Sequence, residues 1–303
     1  MKLIRVGIVG FDTSHAVEFT KRINHVDISE EQWVEGAQVV MGYPGAPTSF
    51  ASEEVISQRT QLLRDKYGVQ IVDAPDEMIG KVDAILLEFQ EGDSHLENAQ
   101  PFLKAGLPTF IDKPFTCSVR DARKLAKLAK SQGTPLFSSS SLRYALEIQQ
   151  LKSRMEEVGA VLGADVYSPA SLNPKNPGLF NYGIHGVETL YSLMGPGCES
   201  VWCVSEDRWE TALGRWKDGR IGTMRGTRQG AHSYGFTAFC EKEVVPAVID
   251  TRYIYRELLK QIVSMFQTRK PPIEIEETLE IVAFMEASLK SANRGGVKVK
   301  LRV

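Results

Sequence analysis

Thr109-Phe110-Ile111-Asp112-Lys113-Pro114-Phe115 is a short apolar run that ends in an acid, a lysine and a proline. A residue that precedes proline is pushed out of the helical region into extended backbone. Lys113 therefore stands at the tip of a strand, its ammonium aimed beyond the sheet edge. In an open parallel sheet that edge is where ligands bind. Two readings of Lys113 stay open on this stretch alone: a lysine that handles substrate, and a solvated lysine at a strand end.

The segments around it repeat the same alternation. Leu3 to Val9 is a β-rich run that ends at Gly10, and Val17, Phe19 and Ile23 after the polar turn follow a helical pattern. Ala37 to Met41 is a second strand, and Gly42 to Pro47 is a loop. Val55 to Tyr67 predicts a helix stopped by Gly68, then a short strand at Val69 to Val72. Val82 to Leu87 is an uninterrupted apolar run of the kind buried on both faces, and Leu96 to Ala105 a helix stopped by Gly106. Beyond Lys113, Ser118 and Asp121 form a capping pattern. Val119, Ala122, Leu125, Leu128 and Ala129 share one helical face, and Gly133 and Pro135 end that helix before a strand at Pro135 to Ser138. Strands alternating with helices imply right-handed βαβ units. Residues 1–140 are thus expected to form a Rossmann-type parallel sheet with helices on both faces.

The pattern changes after Ser141. Leu142 to Val158 predicts one long helix, and Gly163 to Cys240 reads mostly as strand with a helix at Gly183 to Met194. Trp202, Trp209 and Trp216 fall in these strands, and Lys217-Asp218-Gly219-Arg220 predicts a hairpin turn. Tyr253 to Phe266 and Ile275 to Ala292 are amphipathic, separated by Pro271-Pro272, and Val297 to Val303 alternates like a closing strand. Residues 141–303 are expected to form an α+β domain on a large, mostly antiparallel open sheet.

Composition narrows the partners. The 303 residues are 43% hydrophobic and 24% charged with a net charge of -2, which offers no electrostatic case for nucleic acid or an anionic membrane. Apolar runs such as Ala84 to Leu87 are far too short to span a bilayer. The start of the chain is not expected to be a signal peptide, since Arg5 breaks its apolar run. Cys117, Cys198, Cys203 and Cys240 are widely spaced and read as reduced thiols of a cytoplasmic protein.

The first strand-turn-helix is where a dinucleotide fold carries its glycine fingerprint. Only Gly10 is in place; Asp12 stands where the second glycine belongs and His15 where the third does. A carboxylate there is expected to repel a pyrophosphate. Thr13 and Ser14 could offer hydroxyls and amides to an anion at the helix start. The alternative is a plain turn capped by Asp12 or Ser14. Gly42-Tyr43-Pro44-Gly45, after the second strand, has neither the acid expected for NAD nor the base expected for NADP. Asp12, Glu88 and Asp112 gather at one sheet edge with the loop acids after Glu88. A hard cation could collect them, but solvated loop acids are the expectation, and no metal site is assigned. In Asn181-Tyr182-Gly183-Ile184-His185-Gly186-Val187-Glu188, helical spacing at about 100° per residue puts Asn181, His185 and Glu188 on one polar face that looks outward. Histidine suits proton transfer near neutrality; a structural histidine is the alternative.

Together these pieces resemble the Gfo/Idh/MocA family of NAD(P)-dependent oxidoreductases. Ile111-Asp112-Lys113-Pro114 resembles the family's Glu-Lys-Pro motif with Asp for Glu, preceded by a fitting Lys104-Ala105-Gly106-Leu107-Pro108. His95 matches a histidine after the fourth strand, Leu142-Arg143-Tyr144 an Arg-aromatic pair, and Gly183, His185 and Glu188 the Gly-x-His-x-x-Asp helix. The chain resembles a branch that carries Asp-Thr-Ser-His at the first turn. The family implies NAD or NADP, a sugar, polyol or keto-sugar substrate, and a homodimer or homotetramer through the second domain's open sheet. It implies that Lys113 contacts substrate hydroxyl and nicotinamide ribose, and that His185 is the acid/base. Asn181 falls where many members have aspartate, so it is expected to hydrogen-bond substrate or histidine. Gly10, Phe11, Asp12, Thr13, Ser14, Glu88, His95 and Asp112 are the cofactor-side candidates.

The expected function is hydride transfer between a nicotinamide and a sugar-like alcohol or ketone. A non-redox lyase or hydrolase on the same scaffold, and a silent small-ligand-binding protein, are the alternatives.

Overall fold

The computed structural model describes residues 3–303. The chain forms two compact units. One comprises the chain up to Thr116, Asp121–Ser138 and Tyr255–Ile275; the other comprises Cys117–Arg120, Ser139–Ile254 and Glu276–Val303.

The first unit contains β1 (Ile4–Val9), α1 (His15–Asn24), β2 (Ala37–Tyr43), α2 (Glu53–Asp65), β3 (Gln70–Ile71), β4 (Ala84–Leu87), α3 (His95–Lys104), β5 (Thr109–Ile111), most of α4 (Val119–Gln132) and β6 (Leu136–Phe137). Its sheet runs β3-β2-β1-β4-β5-β6 with every pair parallel. That is the doubly wound order, with its switch point beside β1. All of β4 is buried, as its unbroken apolar run demands. In register, Val9 lies opposite Leu87, and Leu87 opposite Ile111. The next residues extend the ladder: Glu88 N donates to Val9 O at 2.7 Å, and Asp112 N to Leu87 O at 2.8 Å. Gly10, Glu88 and Asp112 therefore leave the sheet together at its carboxyl edge.

The second unit contains α5 (Leu146–Ser153), α6 (Met155–Val158), β7 (Val161–Pro169), α7 (Ile184–Met194), β8 (Cys198–Ser205), β9 (Trp209–Trp216), β10 (Ile221–Thr227), β11 (Gly235–Cys240) and β12 (Val244–Val248). Helix α8 (Ile254–Thr268) comes next in the chain, and α9 (Ile275–Ala292) and β13 (Val299–Lys300) complete the second unit. Its sheet runs β12-β11-β7-β10-β9-β8-β13; β7 and β10 pair in parallel and the other neighbours antiparallel. The turn between β9 and β10 is the Lys217–Arg220 hairpin, closed by Trp216 N on Arg220 O at 2.8 Å. Helix α7 lies so close to the sheet that a Cβ on Gly186 would come within 2.6 Å of the Met224 side chain and 2.8 Å of Ser168 Oγ. The opposite face of the sheet leaves Val204, Trp209, Ile221, Phe239, Val244 and Val248 exposed.

Two expectations are corrected. Leu142 to Val158 is not one helix. A 3-10 turn at Ser141–Tyr144 precedes α5, Ala145 between them is extended (φ -55, ψ 143), and Arg154 (φ -98, ψ 9) separates α5 from α6. Ser140 Oγ caps the turn by accepting from Leu142 N, and Arg154 is drawn aside into ion pairs with Glu157 and Glu243. Nor does a single cut at residue 140 divide the units, because Tyr255–Ile275 returns to the first. Arg256 there donates to Glu31 O at 2.8 Å, and Tyr255 packs on Phe19. Amphipathic spacing marks that segment as a helix but not which core its apolar face joins.

Candidate active site

The first turn is built around its own side chains. Gly10 has φ +93, and a Cβ there would lie 2.8 Å from Phe89 N, so only glycine fits. The Gly10 and Phe11 amides donate to Tyr43 O and Pro44 O at 2.9 and 2.8 Å, which ties the turn to the loop after β2. Phe11 is buried, and its carbonyl accepts from Arg59 Nη1 at 2.8 Å. Asp12 is 1% exposed. Its carboxylate accepts from Gln90 N at 3.2 Å and Thr48 Oγ1 at 3.2 Å, while Gln90 Nε2 donates to Asp12 O at 2.6 Å. Burial raises its pKa against the pull of these donors. Thr13 Oγ1 accepts from His15 N at 3.2 Å. Ser14 is left exposed at the start of α1, with no capping bond from its side chain.

Asp12, Glu88 and Asp112 are not the solvated loop acids expected; all three are buried. The β1–β4–β5 register brings Glu88 and Asp112 together, and α1 adds His15. The His15 ring stacks on Phe19 (4.9 Å between centroids, 11°) and meets the edge of Tyr255. Its Nδ1 lies 2.8 Å from Asp112 Oδ2 and 3.8 Å from Glu88 Oε2. Glu88 is 0% exposed, and neither of its oxygens has a hydrogen-bond partner. Burial, then the neighbouring Asp112 charge, pushes Glu88 well above the usual carboxylate range. Burial would raise Asp112 as well, but the fields of His15 and Lys113 and hydrogen bonds from the His15 ring and the Lys113 backbone amide hold it low. Lys113 is 8% exposed and lies in the fields of the buried Glu88 and Asp112 carboxylates. Its side chain is largely covered, unlike a solvated lysine at a strand end.

His95 is a fastener of the backbone. It is fully buried, with Nε2 2.7 Å from Phe89 O and Nδ1 3.0 Å from Pro114 O. It holds the loop after β4 to the loop after Lys113 and has no ring nitrogen left to offer a cofactor. The sequence pattern marked His15 only as a missing glycine. Its pairing with Asp112 spans 97 positions in the chain and leaves no local signal.

In the second unit, the outward polar face expected for α7 is absent, because every residue of this helix is buried. His185 Nδ1 lies 2.7 Å from Ser140 Oγ, and its ring meets Tyr182 and Tyr234 edge-on. Leu142 N already donates to Ser140 Oγ at 3.1 Å, so the hydroxyl proton can be given to Nδ1, which assigns the remaining proton of a neutral ring to Nε2. Glu188 pairs with Arg143 Nε at 2.6 Å, and Arg143 Nη1 with Glu277 at 2.7 Å. Burial raises Glu188 even beside Arg143. Asn181 precedes α7, capping the Gly178–Phe180 turn, and its Nδ2 donates to Ser171 O at 2.9 Å rather than to His185.

The family described as "Oxidoreductase family, NAD-binding Rossmann fold" matches residues 4–140. Through that segment the chain is similar to the Gfo/Idh/MocA oxidoreductases. It is 28% identical over 166 residues to the uncharacterized oxidoreductase YdgJ of Escherichia coli (strain K12), a match covering 54% of this chain and 41% of YdgJ. Over whole lengths it shares its fold with two solved enzymes. Scyllo-inositol dehydrogenase from Lactobacillus casei, solved with NAD(H) and scyllo-inositol, has a TM-score of 0.81 at 13% identity over 99% of both chains. The WlbA dehydrogenase from Bordetella pertussis, solved with NADH and UDP-GlcNAcA, has a TM-score of 0.79 at 19% identity, covering 100% of this chain and 99% of that one.

The family's cofactor is NAD, and the residues of this turn fit it by a changed route. Gly10 keeps the tight turn, and α1 starts at exposed Ser14, whose side chain makes no capping bond, the place a helix offers to an anion. Asp12 does not obstruct it as expected, because its carboxylate is buried against Gln90 and Thr48.

Removing Arg143 would leave Glu188 and Glu277 as unpaired acids. Arg143→Met is expected to cost about 3–5 kcal/mol of stability, read from chemical denaturation. A loss below about 1 kcal/mol, typical of an exposed pair, would show that this cluster does not hold the unit together.

Proposed function

We propose that this chain is an NAD-dependent dehydrogenase or reductase acting on a sugar, polyol or keto-sugar. The observation that carries the proposal is Lys113: a lysine only 8% exposed, at the carboxyl edge of the parallel sheet, beside two buried carboxylates. The bound scyllo-inositol and UDP-GlcNAcA of the two similar structures support a polyol or sugar as substrate.

Ser14 and the amino end of α1, set by the Gly10 turn, would hold the cofactor's pyrophosphate, and Lys113 would contact its nicotinamide ribose. The nicotinamide, when bound, supplies or accepts the hydride. Lys113 directs its charge at the substrate oxygen as alkoxide character grows there, which lowers the cost of that charge in a site with little water. His185 exchanges the substrate proton at Nε2 while Ser140 fixes Nδ1. Asn181, tied to Ser171, sets the approach to α7 and is not a proton carrier. Tyr43-Pro44-Gly45 carries neither an acid for the ribose of NAD nor a base for the extra phosphate of NADP, so the reading of NAD rests on the matched NAD-binding family. The exposed apolar face of the seven-stranded sheet is assigned to a second copy of the chain.

Ser14→Asp puts a negative charge where the pyrophosphate binds, yet aspartate is a good helix cap, so the fold is retained. NADH affinity, measured by nicotinamide fluorescence, is expected to fall about tenfold or more. Wild-type protein that is folded and binds no NADH would defeat the proposal, and turnover of a sugar without any nicotinamide would favour the lyase or hydrolase.

With a turned-over polyol, Lys113→Met is expected to lower kcat/KM by about 10²–10³. His185→Gln is expected to lower kcat by about 10²–10⁴ and to remove one limb of the pH profile. A profile unchanged in His185→Gln would exclude His185 as the proton carrier.

Light scattering is expected to give a dimer or tetramer, and Trp209→Asp with Val248→Asp a monomer. A monomeric wild type would refute the assignment of the open face.

A further inference from the structure

We propose that His15, Glu88 and Asp112 form a binding site for a first-row divalent cation, Zn²⁺ or Mn²⁺, that ties the start of α1 to the ends of β4 and β5. Each residue offers one ligand atom, and these atoms all lie within 4.8 Å of one another. Ligands at about 2.0–2.2 Å from one ion stand about 3–4 Å apart. The observed 2.8 Å from His15 Nδ1 to Asp112 and 3.8 Å to Glu88 bracket that span, so small side-chain shifts close the site.

A second observation points the same way. Glu88 is fully buried, and both of its oxygens lack a partner. A buried carboxylate left so costs several kcal/mol. A cation bound by His15, Glu88 and Asp112 satisfies the carboxylate and balances the two acids at once. The surrounding charges leave that balance intact, since Lys113 on one side is offset by buried Asp12 on the other.

The donor set selects the ion. One imidazole with two carboxylates suits Zn²⁺, Mn²⁺ or Fe²⁺ better than Mg²⁺ or Ca²⁺, which prefer oxygen alone. Nδ1 is the nitrogen that faces the acids, so the ring must carry its proton on Nε2. Stacking on Phe19 and the edge of Tyr255 hold the ring in that orientation, as supporting groups do for metal-bound histidines. With His15 at 8% and Asp112 at 1% exposure, the site is closed, and the ion would exchange slowly. The site would act as a clasp on the turn and the two strand ends, independent of whether the chain binds NAD.

The test uses the full chain expressed with added Zn²⁺ or Mn²⁺, washed with a chelator to strip surface ions, and assayed by mass spectrometry for metals. About one equivalent of a single metal is expected, with a thermal midpoint at least about 5 °C above that of protein made without added metal. Glu88→Gln and Asp112→Asn, close in shape to the native side chains, are expected to fall below about a tenth of an equivalent and to lose that shift while keeping the far-ultraviolet circular dichroism of the wild type. Wild type made with Co²⁺ is expected to show visible ligand-field bands, a readout that needs no variant to fold. Wild type without metal and without these bands would overturn the proposal, as would Glu88→Gln or Asp112→Asn that keeps a full equivalent. NADH binding is measured on the same samples, so a failure here is distinguishable from a failure of the proposed function.

Discussion

The structure turns on one rung of the first sheet, where Val9, Leu87 and Ile111 lie side by side. All three are fully buried, and each such side chain is worth about 1.5–3 kcal/mol. Apolar burial therefore sets the register, whatever the chemistry of the residues one step beyond. Those residues are Gly10, Glu88 and Asp112. The sheet delivers two carboxylates to one closed corner, and the residues near them (His15, Lys113, Asp12) answer that concentration of charge. The corner's chemistry is a consequence of how the core packs.

The same corner explains why the chain departs from the dinucleotide glycine pattern and still keeps the fold. A glycine at position 12 would let a phosphate approach the backbone directly. Asp12 instead turns inward and ties the first turn to Gln90 and Thr48. Gly10 and Phe11 spend their amides on the loop after β2. The turn is stiffened from within. His95 does related work from the far side, joining the loop after β4 to the loop that carries Lys113.

In the second unit the governing constraint is close approach. Gly186 lets α7 lie against Ser168 and Met224, and this buries the whole helix, polar residues included. His185 and Glu188 then need partners, and the Ser139–Arg143 segment supplies them. That requirement is also what breaks the expected long helix, because Ser140 and Arg143 serve α7 and α9 from a tight 3-10 turn. A buried histidine with a fixed tautomer is a different object from the solvent-facing histidine that helical spacing implies.

Local pattern was enough for most of the architecture. Alternating apolar runs and stop signals marked every strand of the parallel sheet, the α7 and α9 helices and the Lys217–Arg220 hairpin, because periodicity and turn chemistry act over a few residues. The Lys113 strand tip was legible for the same reason: proline constrains its own neighbour. His15 against Asp112, Arg143 between Glu188 and Glu277, and the return of α8 to the first unit were not legible. Each joins residues far apart in the chain, and each depends on which face the assembled core covers. Helical spacing could group Asn181, His185 and Glu188, and composition could count the acids. Only burial in the folded chain decided that Glu88 lost its water, that Asn181 was spent on Ser171, and that His15 came to face Asp112 and Glu88.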